Sequence, residues 1–503
     1  MPILVTMERF THLKIVMRAR KIGNTLDFFA FLMYYIIIEI YKWQDVILKK
    51  IRFLLAMLAG KMSLLLLRLL KRTASYTPGL LALKIYPDFL GSLQMPSTVI
   101  CVTGTNGKTT TSNLLADVLR DCGYTVTNNS AGSNVQAGVA TALLANSDIR
   151  GKHKNEIAVL EVDERSSIKV YSYIAPDFLI CNNIMRDSLK RNAHTDFIVH
   201  VINKSLSRNT RVILNSDDLI CCSVAENNDN KIYFGIEANK PDVWNEEAPR
   251  DIYYCPVCGN KLKAEYIRYN HIGRFSCTGC DYASPAPDYV VTDINYSAGT
   301  FSVAYNGEKH DFKLVNDNIV NVYNFCGAIA LLHEFGLSFD KISESFLKQK
   351  IVKSRFDSLS AGKLNITMQL AKGQNPIACA RAYSYVAKCA AKEKSLLIMV
   401  DDKSDNNGNS ESVCWIYDCD YSALTDDSIG EIIFSGPRCK DQKIRAMLAG
   451  VDPAKIKTAD SFCGGVELVD TERFSDIFVL YDPYLLAEAD YSKNVLIGKG
   501  EKR

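Results

Sequence analysis

The sequence predicts an α/β protein: a phosphate-binding domain on a parallel sheet, a small metal ribbon inserted into it, and a second α/β domain towards the C-terminal end. Three observations carry this expectation. A β-branched run, Thr98–Thr103, leads directly into Gly104-Thr-Asn-Gly-Lys-Thr-Thr110 and then into helical spacing. Two Cys-x-x-Cys pairs, Cys255/Cys258 and Cys277/Cys280, stand eighteen residues apart. Strand and helix signals alternate through residues 360–500.

The 503 residues are 48% hydrophobic and 23% charged, which fits a folded protein of several domains rather than a disordered chain. A net charge of +3 gives no molecule-wide field for nucleic acid, so no nucleic-acid partner is expected. The charge is unevenly placed: residues 1–80 hold thirteen Lys/Arg against four Asp/Glu. None of the sixteen cysteines precedes Cys101. A chain of this length builds cores without staples, so a reducing cytosol with one metal site is expected rather than a disulfide framework. No short apolar segment near the start is followed by a small-residue cleavage site, so no secretory signal is read.

Residues 1–51 form an apolar, basic extension, and residues 52–95 a helical lead-in. Phe28–Ile38 is apolar but only eleven residues long before Glu39, where a bilayer span takes about twenty. Phe53–Leu70 is long enough but contains Lys61 and Arg68, each costing roughly 2.5–3.5 kcal/mol at mid-bilayer. Flanking Lys42, Lys49, Lys50, Arg52, Lys71 and Arg72 suit a helix lying against anionic headgroups. A true span, and a helix packed on the body with its two cations snorkelling, are the competing readings.

The central segment, residues 96–350, is the most informative. A strand, a Gly-rich turn and a helix N-terminus make an anion cradle: main-chain N–H groups point at phosphate and the helix dipole adds favourable potential. Gly104, Thr105, Asn106, Gly107, Lys108, Thr109 and Thr110 are the expected nucleotide contacts. Lys108 would reach the terminal phosphates and Thr109 would ligate Mg²⁺. Gly123 marks the end of the helix.

This loop is shorter than the common Gly-x-x-x-x-Gly-Lys-Ser/Thr, and its form resembles that of the Mur ligase family, ATP-dependent enzymes that activate a carboxylate and couple it to an amine. Gly132-Ser-Asn134 and Leu160-Glu-Val-Asp-Glu164 extend the resemblance, and it implies that Glu161 is a magnesium-binding carboxylate sharing the metal with Thr109. An N-cap or a surface ion pair is the competing reading of Glu161. Asn182-Asn183-Ile-Met-Arg186-Asp187 and Ile213-Leu-Asn-Ser-Asp-Asp218 resemble two further family segments that close strands. Asn321-Val-Tyr-Asn324 and Ser354-Arg355 resemble the family's adenine contact and its Gly-Arg element, which implies nucleotide contacts at Asn321 and Arg355; helix capping by Asn321 is the alternative.

Two Cys-x-x-Cys knuckles at this separation present four thiolates tetrahedrally, so Cys255, Cys258, Cys277 and Cys280 are expected to hold a structural Zn²⁺ within an insert at about 250–285. A redox dithiol would need only one pair. The ribbon narrows the resemblance to the MurT-type branch of the family, and Leu58–Leu70, Pro78-Gly and Ala82-Leu-Lys resemble that branch's N-terminal segment. The expected fold is therefore a P-loop Mur ligase central domain with an inserted zinc ribbon, followed by a Rossmann-like α/β domain at residues 351–503.

In that last domain, strands are read at Leu364–Leu370, Ser395–Val400, Glu431–Phe434 and Ile477–Tyr481, with helices from Pro376 and over Lys440–Leu448, forming a parallel sheet. Asp401-Asp-Lys-Ser-Asp405 stands where the branch bears Asp-Asn-x-Ala-Asp, which implies a catalytic role for Asp401 beside that of Lys108. A merely solvated acidic loop is the alternative. Asp402 replaces Asn, and Asn406–Ser412 departs from the usual Asp-Gly-Arg-Asp, whereas Trp415 and Asp418 match the next element. Ser435-Gly-Pro-Arg438 with Asp441 resembles the element that contacts a glutaminase.

The resemblance implies ATP-dependent amidation of the D-glutamate α-carboxylate of the lipid II stem peptide, with ATP, Mg²⁺ and structural Zn²⁺. With seven histidines and no cysteine at a recognisable nucleophile turn, ammonia is expected from a GatD-type glutaminase subunit in a heterodimer. The expected location is cytoplasmic, peripheral at the inner face of the membrane where lipid II resides. A ligase that adds an amino acid directly, and a nucleotide-binding assembly subunit without amidation, are the competing functions.

Overall fold

A computed structural model describes residues 25–129, 133–186, 194–237, 250–314, 318–349, 356–371, 373, 375–400 and 413–501, with backbone alone at 25–45 and 356–357. The chain divides into two compact units, Met1–Gln94 with Ala140–Lys154, and Met95–Val139 with Asn155–Arg503.

In the first unit, α1 (Thr25–Leu69) is 45 residues long, or about 68 Å at 1.5 Å per residue. It crosses residue 51 without a break, because Lys49–Phe53 contains no Gly or Pro to interrupt it. A turn leads to α2 (Thr77–Ile85), whose Pro78 in the first turn costs no hydrogen bond. One side of α1 packs: Ala56, Met57 and Leu64 are buried, and Phe53 stacks on Phe89. The other side is uncovered among the described residues. Leu54, Leu55, Leu58, Met62, Leu65, Leu66, Leu69 and Leu70 are all exposed. Lys61 does not snorkel as one of the competing readings has it. Its ammonium donates to the carbonyls of Leu144 (3.1 Å) and Ser147 (2.7 Å), and burial lowers its pKa. A cation at a helix C-terminal end satisfies carbonyls that have no intrahelical partner.

The second unit carries two large sheets. The nine-stranded sheet is built from β1 (Thr98–Thr103), β2 (Val126–Asn128), β3 (Ile157–Glu161), β4 (Phe178–Cys181), β5 (Arg211–Asn215), β6 (Lys231–Ile236), β9 (Tyr289–Asn295), β10 (Thr300–Tyr305) and β11 (Glu308–Lys313), in the order β11-β10-β9-β6-β5-β4-β1-β3-β2. Pairs from β2 across to β9 are parallel, and β9-β10-β11 continue as an antiparallel meander. β1 is fully buried from Val99 onward, as a central parallel strand requires. Helix α3 (Lys108–Asp121) follows β1, and its Leu115, Val118 and Leu119 enter the core with Val322, Ile329 and Leu332 of a later helix. Between β6 and β9 the hairpin β7 (Leu262–Tyr269) and β8 (Ile272–Cys277) forms a separate two-stranded sheet with its own small core.

The six-stranded sheet comprises β12 (Phe356–Ala361), β13 (Leu364–Leu370), β14 (Lys394–Met399), β15 (Ile429–Ser435), β16 (Ile456–Ala459) and β17 (Asp476–Tyr481), ordered β12-β13-β17-β14-β15-β16. It departs from the all-parallel expectation at one edge, where β12 pairs antiparallel with β13 through the Gly362 turn. Helices α4 (Pro376–Lys388), α5 (Cys414–Asp418) and α6 (Cys439–Leu448) accompany it. β16 is too short and too half-buried to announce itself by periodicity.

Candidate active site

The strand order reverses around β1, whose neighbours are β3 and β4, and crevices at such switch points are where open α/β sheets bind ligands. The loop Gly104–Gly107 lies at that point. Gly104 (φ +123°) and Gly107 (φ +87°) both take left-handed backbone that other residues reach only with strain. A Cβ on Gly104 would stand 2.9 Å from the Asn183 carbonyl, and one on Gly107 would stand 2.2 Å from Asn324 Oδ1. The backbone is thus bared where a phosphate needs amide donors.

The segment after β4 braces this loop from beneath. Thr105 N–H donates to the Asn183 carbonyl (2.9 Å), and Asn106 N–H donates to Asn183 Oδ1 (2.9 Å) while Asn183 Nδ2 returns a bond to the Asn106 carbonyl (3.1 Å). Met185 N–H donates to Thr105 Oγ1 (2.9 Å). Asn182 Nδ2 reaches Thr111 in the first turn of α3 (2.9 Å). The Asn182-Asn183 pair therefore fixes the loop's shape. On its other side, Asn375 caps α4 through Ala378 N–H and donates to Asn106 Oδ1 at 3.1 Å.

Lys108 opens α3. Its ammonium donates to the Gly104 and Thr105 carbonyls and pairs with Glu164 at 2.9 Å. Burial alone would lower its pKa, but Glu164, then Asp163 and Glu161, hold it above the usual lysine range. Glu164 stands in the segment that sequence reasoning quoted, yet nothing there pointed to it. Thr109 Oγ1 donates to Glu161 Oε2 at 2.8 Å, and Asn134 Nδ2 donates to Glu161 Oε1 at 3.1 Å. Glu161 ends β3 and is neither a helix cap nor a surface ion pair; Asp163 caps the short turn that follows. Thr110 is exposed on the same turn.

The helix Ile319–Glu334 also faces this loop, through Asn324 against Gly107. Asn318 caps it by accepting from Val320 N–H, so the capping alternative for Asn321 falls away. Asn321 accepts from Asn324 Nδ2 (3.4 Å), and Asn324 is buried against Gly107 with its Oδ1 unpartnered. The expectation placed on Arg355 and that on Asp401, with the whole 401–412 segment, lie outside the described residues.

The bared loop, its lysine, a hydroxyl beside a carboxylate and an orphaned buried amide oxygen together fit a Mg²⁺-bound nucleotide. The four cysteines also fit their metal. Sγ atoms of Cys255, Cys258, Cys277 and Cys280 all lie within 4.8 Å of one another, where tetrahedral bonds of about 2.3 Å space sulfurs roughly 3.8 Å apart. Hydrogen bonds from Asn260, then from Cys277, hold the Cys258 thiol down to about 6, towards the thiolate that a metal takes.

Residues 102–332 match the family model of the Mur ligase middle domain, and residues 372–482 that of the MurT ligase C-terminal domain. The chain is 29% identical over 423 residues to the lipid II isoglutaminyl synthase (glutamine-hydrolyzing) subunit MurT of Staphylococcus aureus strain COL, covering 84% of this chain and 92% of that one. With the MurT subunit of Streptococcus pneumoniae strain R6 it shares 28% over 430 residues, 85% of this chain and 93% of that one. Among solved structures, a pseudomurein peptide ligase type C from Methanothermus fervidus shares the fold, with a TM-score of 0.61 at 20% identity over 81% of both chains. MurF from Acinetobacter baumannii does so with a TM-score of 0.56 at 14% identity, covering 84% of this chain and 80% of that one. A matching middle domain, a matching C-terminal domain and relatives aligned along more than four-fifths of its length make this chain a MurT-type member of the Mur ligase family, a family of ATP-dependent ligases.

Proposed function

We propose that the chain is the synthetase subunit of a glutamine-dependent amidating ligase acting on the α-carboxylate of D-glutamate in the lipid II stem peptide. The observation that carries the reading is the meeting of Thr109 and Glu161, 2.8 Å apart, beside a phosphate-shaped loop in a MurT-type chain. In this reading Gly104–Thr110 hold the triphosphate, Thr109 and Glu161 hold Mg²⁺, and Asn321 and Arg355 hold the adenosine. The bound nucleotide supplies the phosphoryl group that turns the carboxylate into an acyl phosphate. Ammonia attacks its carbonyl carbon, phosphate leaves, and a proton is released as the amide forms. Lys108 steadies the charge that develops on the transferred phosphoryl oxygens, and Asp401 acts on the ammonia side. The four cysteines hold Zn²⁺ as a brace, with no open position for chemistry.

A GatD-type glutaminase would supply the ammonia. Helix α6 leaves Ile444, Met447 and Leu448 exposed, as a docking face requires. Peripheral membrane contact fits the exposed side of α1, whose leucines are flanked by Lys49, Lys50 and Arg52 before them and by Arg68 near the end. Among the described residues, no helix is long and apolar enough to cross a membrane.

The test is amidation of lipid II by the chain with its glutaminase subunit, ATP, Mg²⁺ and glutamine, read by mass spectrometry. Amide product that disappears in Asp401→Asn supports the proposal. ATP turnover that responds to a free amino acid, and not to glutamine with the partner, overturns it in favour of direct amino-acid ligation. Flotation on anionic vesicles, lost when Leu65, Leu66 and Leu69 become Glu, tests the membrane contact; unchanged flotation refutes it.

A further inference from the structure

Three parts of the chain meet at Arg186, just beyond β4. Its main-chain N–H and its Nε donate to the two oxygens of Asp251, both at 2.8 Å, and its outer guanidinium nitrogen lies 3.7 Å from the Asp418 carboxylate in α5. Asp251 stands four residues before Cys255 and is almost fully buried. Its N–H donates to Asn270 Oδ1 (3.2 Å) in the turn of the ribbon hairpin. The next residue, His271, is wholly buried, with Nε2 3.1 Å from Asp218 Oδ1 and Nδ1 2.9 Å from Asn270 Oδ1.

The inner end of the ribbon is thereby locked to the end of β5. Tyr266 of β7 donates to Asp217 (3.2 Å), and Gly273 N–H donates to the Asp217 carbonyl (2.7 Å). The knuckles at the outer end are tied to the same frame, since Leu262 N–H bonds the Tyr253 carbonyl and Cys255 N–H bonds the Asn260 carbonyl. Hydrogen bonds and the short backbone run 251–255 therefore connect the four-cysteine cluster through Asp251 to Arg186, and ion pairing continues the path to Asp418.

We infer that Arg186 is a positioning residue: clamped by Asp251 of the ribbon, it sets where Asp418 and α5 sit, so that metal at the four cysteines fixes α5 relative to the phosphate loop. The Nε bond to Asp251, with the outer nitrogen reaching the Arg250 carbonyl at 3.5 Å, holds the planar guanidinium in one orientation, which a lysine would not reproduce. The 3.7 Å approach to Asp418, itself a third exposed, is worth little as stability and serves to fix a position. Asn375, bonded to Asn106, is a second tie between the six-stranded region and the loop, so loss of the Arg186 tie would leave α5 loosened with α4 still anchored. The consequence for turnover rests on the ligase reading above; the coupling of ribbon to helix does not.

Hydrogen exchange read by mass spectrometry on the full zinc-loaded chain separates the two. In the native chain, chelating the metal should speed exchange in the Cys414–Asp418 peptide by about threefold or more, the size of a local opening. In Arg186→Gln that peptide should exchange fast already and gain nothing on chelation, while β7–β8 still respond. Asp418→Asn should behave like Arg186→Gln, and Asp418→Glu should restore the native pattern. With the partner, Asp418→Asn should lower kcat while leaving KM for ATP unchanged. Should Arg186→Gln fail to retain zinc, Asp418→Asn carries the same test. An α5 peptide indifferent to chelation in the native chain, or variants that respond as the native chain does, overturns the inference. Absence of any amidation by the native chain would defeat the functional reading and leave the exchange result to decide this one.

Discussion

Replacing Glu164 by Gln removes one charge from the phosphate loop and leaves the shape almost intact. The Glu164 and Lys108 side chains are 1% and 11% exposed and stand 2.9 Å apart. Breaking such a buried pair from one side costs about 3–5 kcal/mol. Two features here lower that cost. Lys108 keeps its bonds to the Gly104 and Thr105 carbonyls, and glutamine still offers an acceptor oxygen. What is lost is the charge assistance of one hydrogen bond, about 1–3 kcal/mol. At roughly 2–4 °C per kcal/mol for a domain of this size, the melting point should fall by about 2–12 °C. Nucleotide should largely cancel the loss, because phosphate oxygens then take over the ammonium. The assay is differential scanning fluorimetry with and without a non-hydrolysable ATP analogue and Mg²⁺. The variant should start lower and gain more from the analogue than the native chain at the same concentration. Equal melting points without nucleotide, or equal gains with it, would refute the idea that Glu164 holds Lys108 in readiness for phosphate.

Three further outcomes are expected. Gly107→Ala puts a methyl group 2.2 Å from Asn324 Oδ1 at φ +87°, so calorimetric ATP affinity should fall about tenfold or more; a native affinity would show that the loop shape is not what binds phosphate. His271 is a pH probe: burial would lower its pKa, but Asp218 and then Asp251 hold it above 6.5. A folded value above the unfolded one means that its stabilisation is full below about 6.5 and is lost as pH rises through the raised value. The melting-point advantage of the native, zinc-loaded chain over His271→Gln should therefore shrink as pH rises from 6.5 towards 9, and a constant difference would show that the pair is not ionised. Lys108→Ala should lower ATP turnover by about 10²-fold or more if its ammonium stabilises the transferred phosphoryl group, and a change within twofold would exclude that role.

Much of the candidate nucleotide site's framework was legible because its parts are contiguous. The strand at Thr98–Thr103, the turn with its two glycines and the helix from Lys108 are consecutive, so local propensity alone assembles the cradle. The cysteine knuckles were legible for the same reason, being two short turns whose spacing fixes how sulfurs converge. The Asn-x-x-Asn motif at 321–324 could be found only by resemblance. Its reading as a cap failed because Asn318, three residues earlier, does the capping.

What the sequence determined by itself was therefore local architecture: a strand–turn–helix cradle, a cluster of four cysteines, and strands and helices in the right order. Tertiary structure decided which polar and charged side chains face one another. Glu164 meets Lys108 across 56 residues, Asn375 meets Asn106 across 269, and Arg186 joins Asp251 to Asp418. The antiparallel edges at β12 and at β10–β11, and the carbonyls that hold Lys61, belong to the same class. Periodicity reports which face of an element is buried, but which partner covers that face depends on how distant strands pack, and a single sequence does not print that pairing.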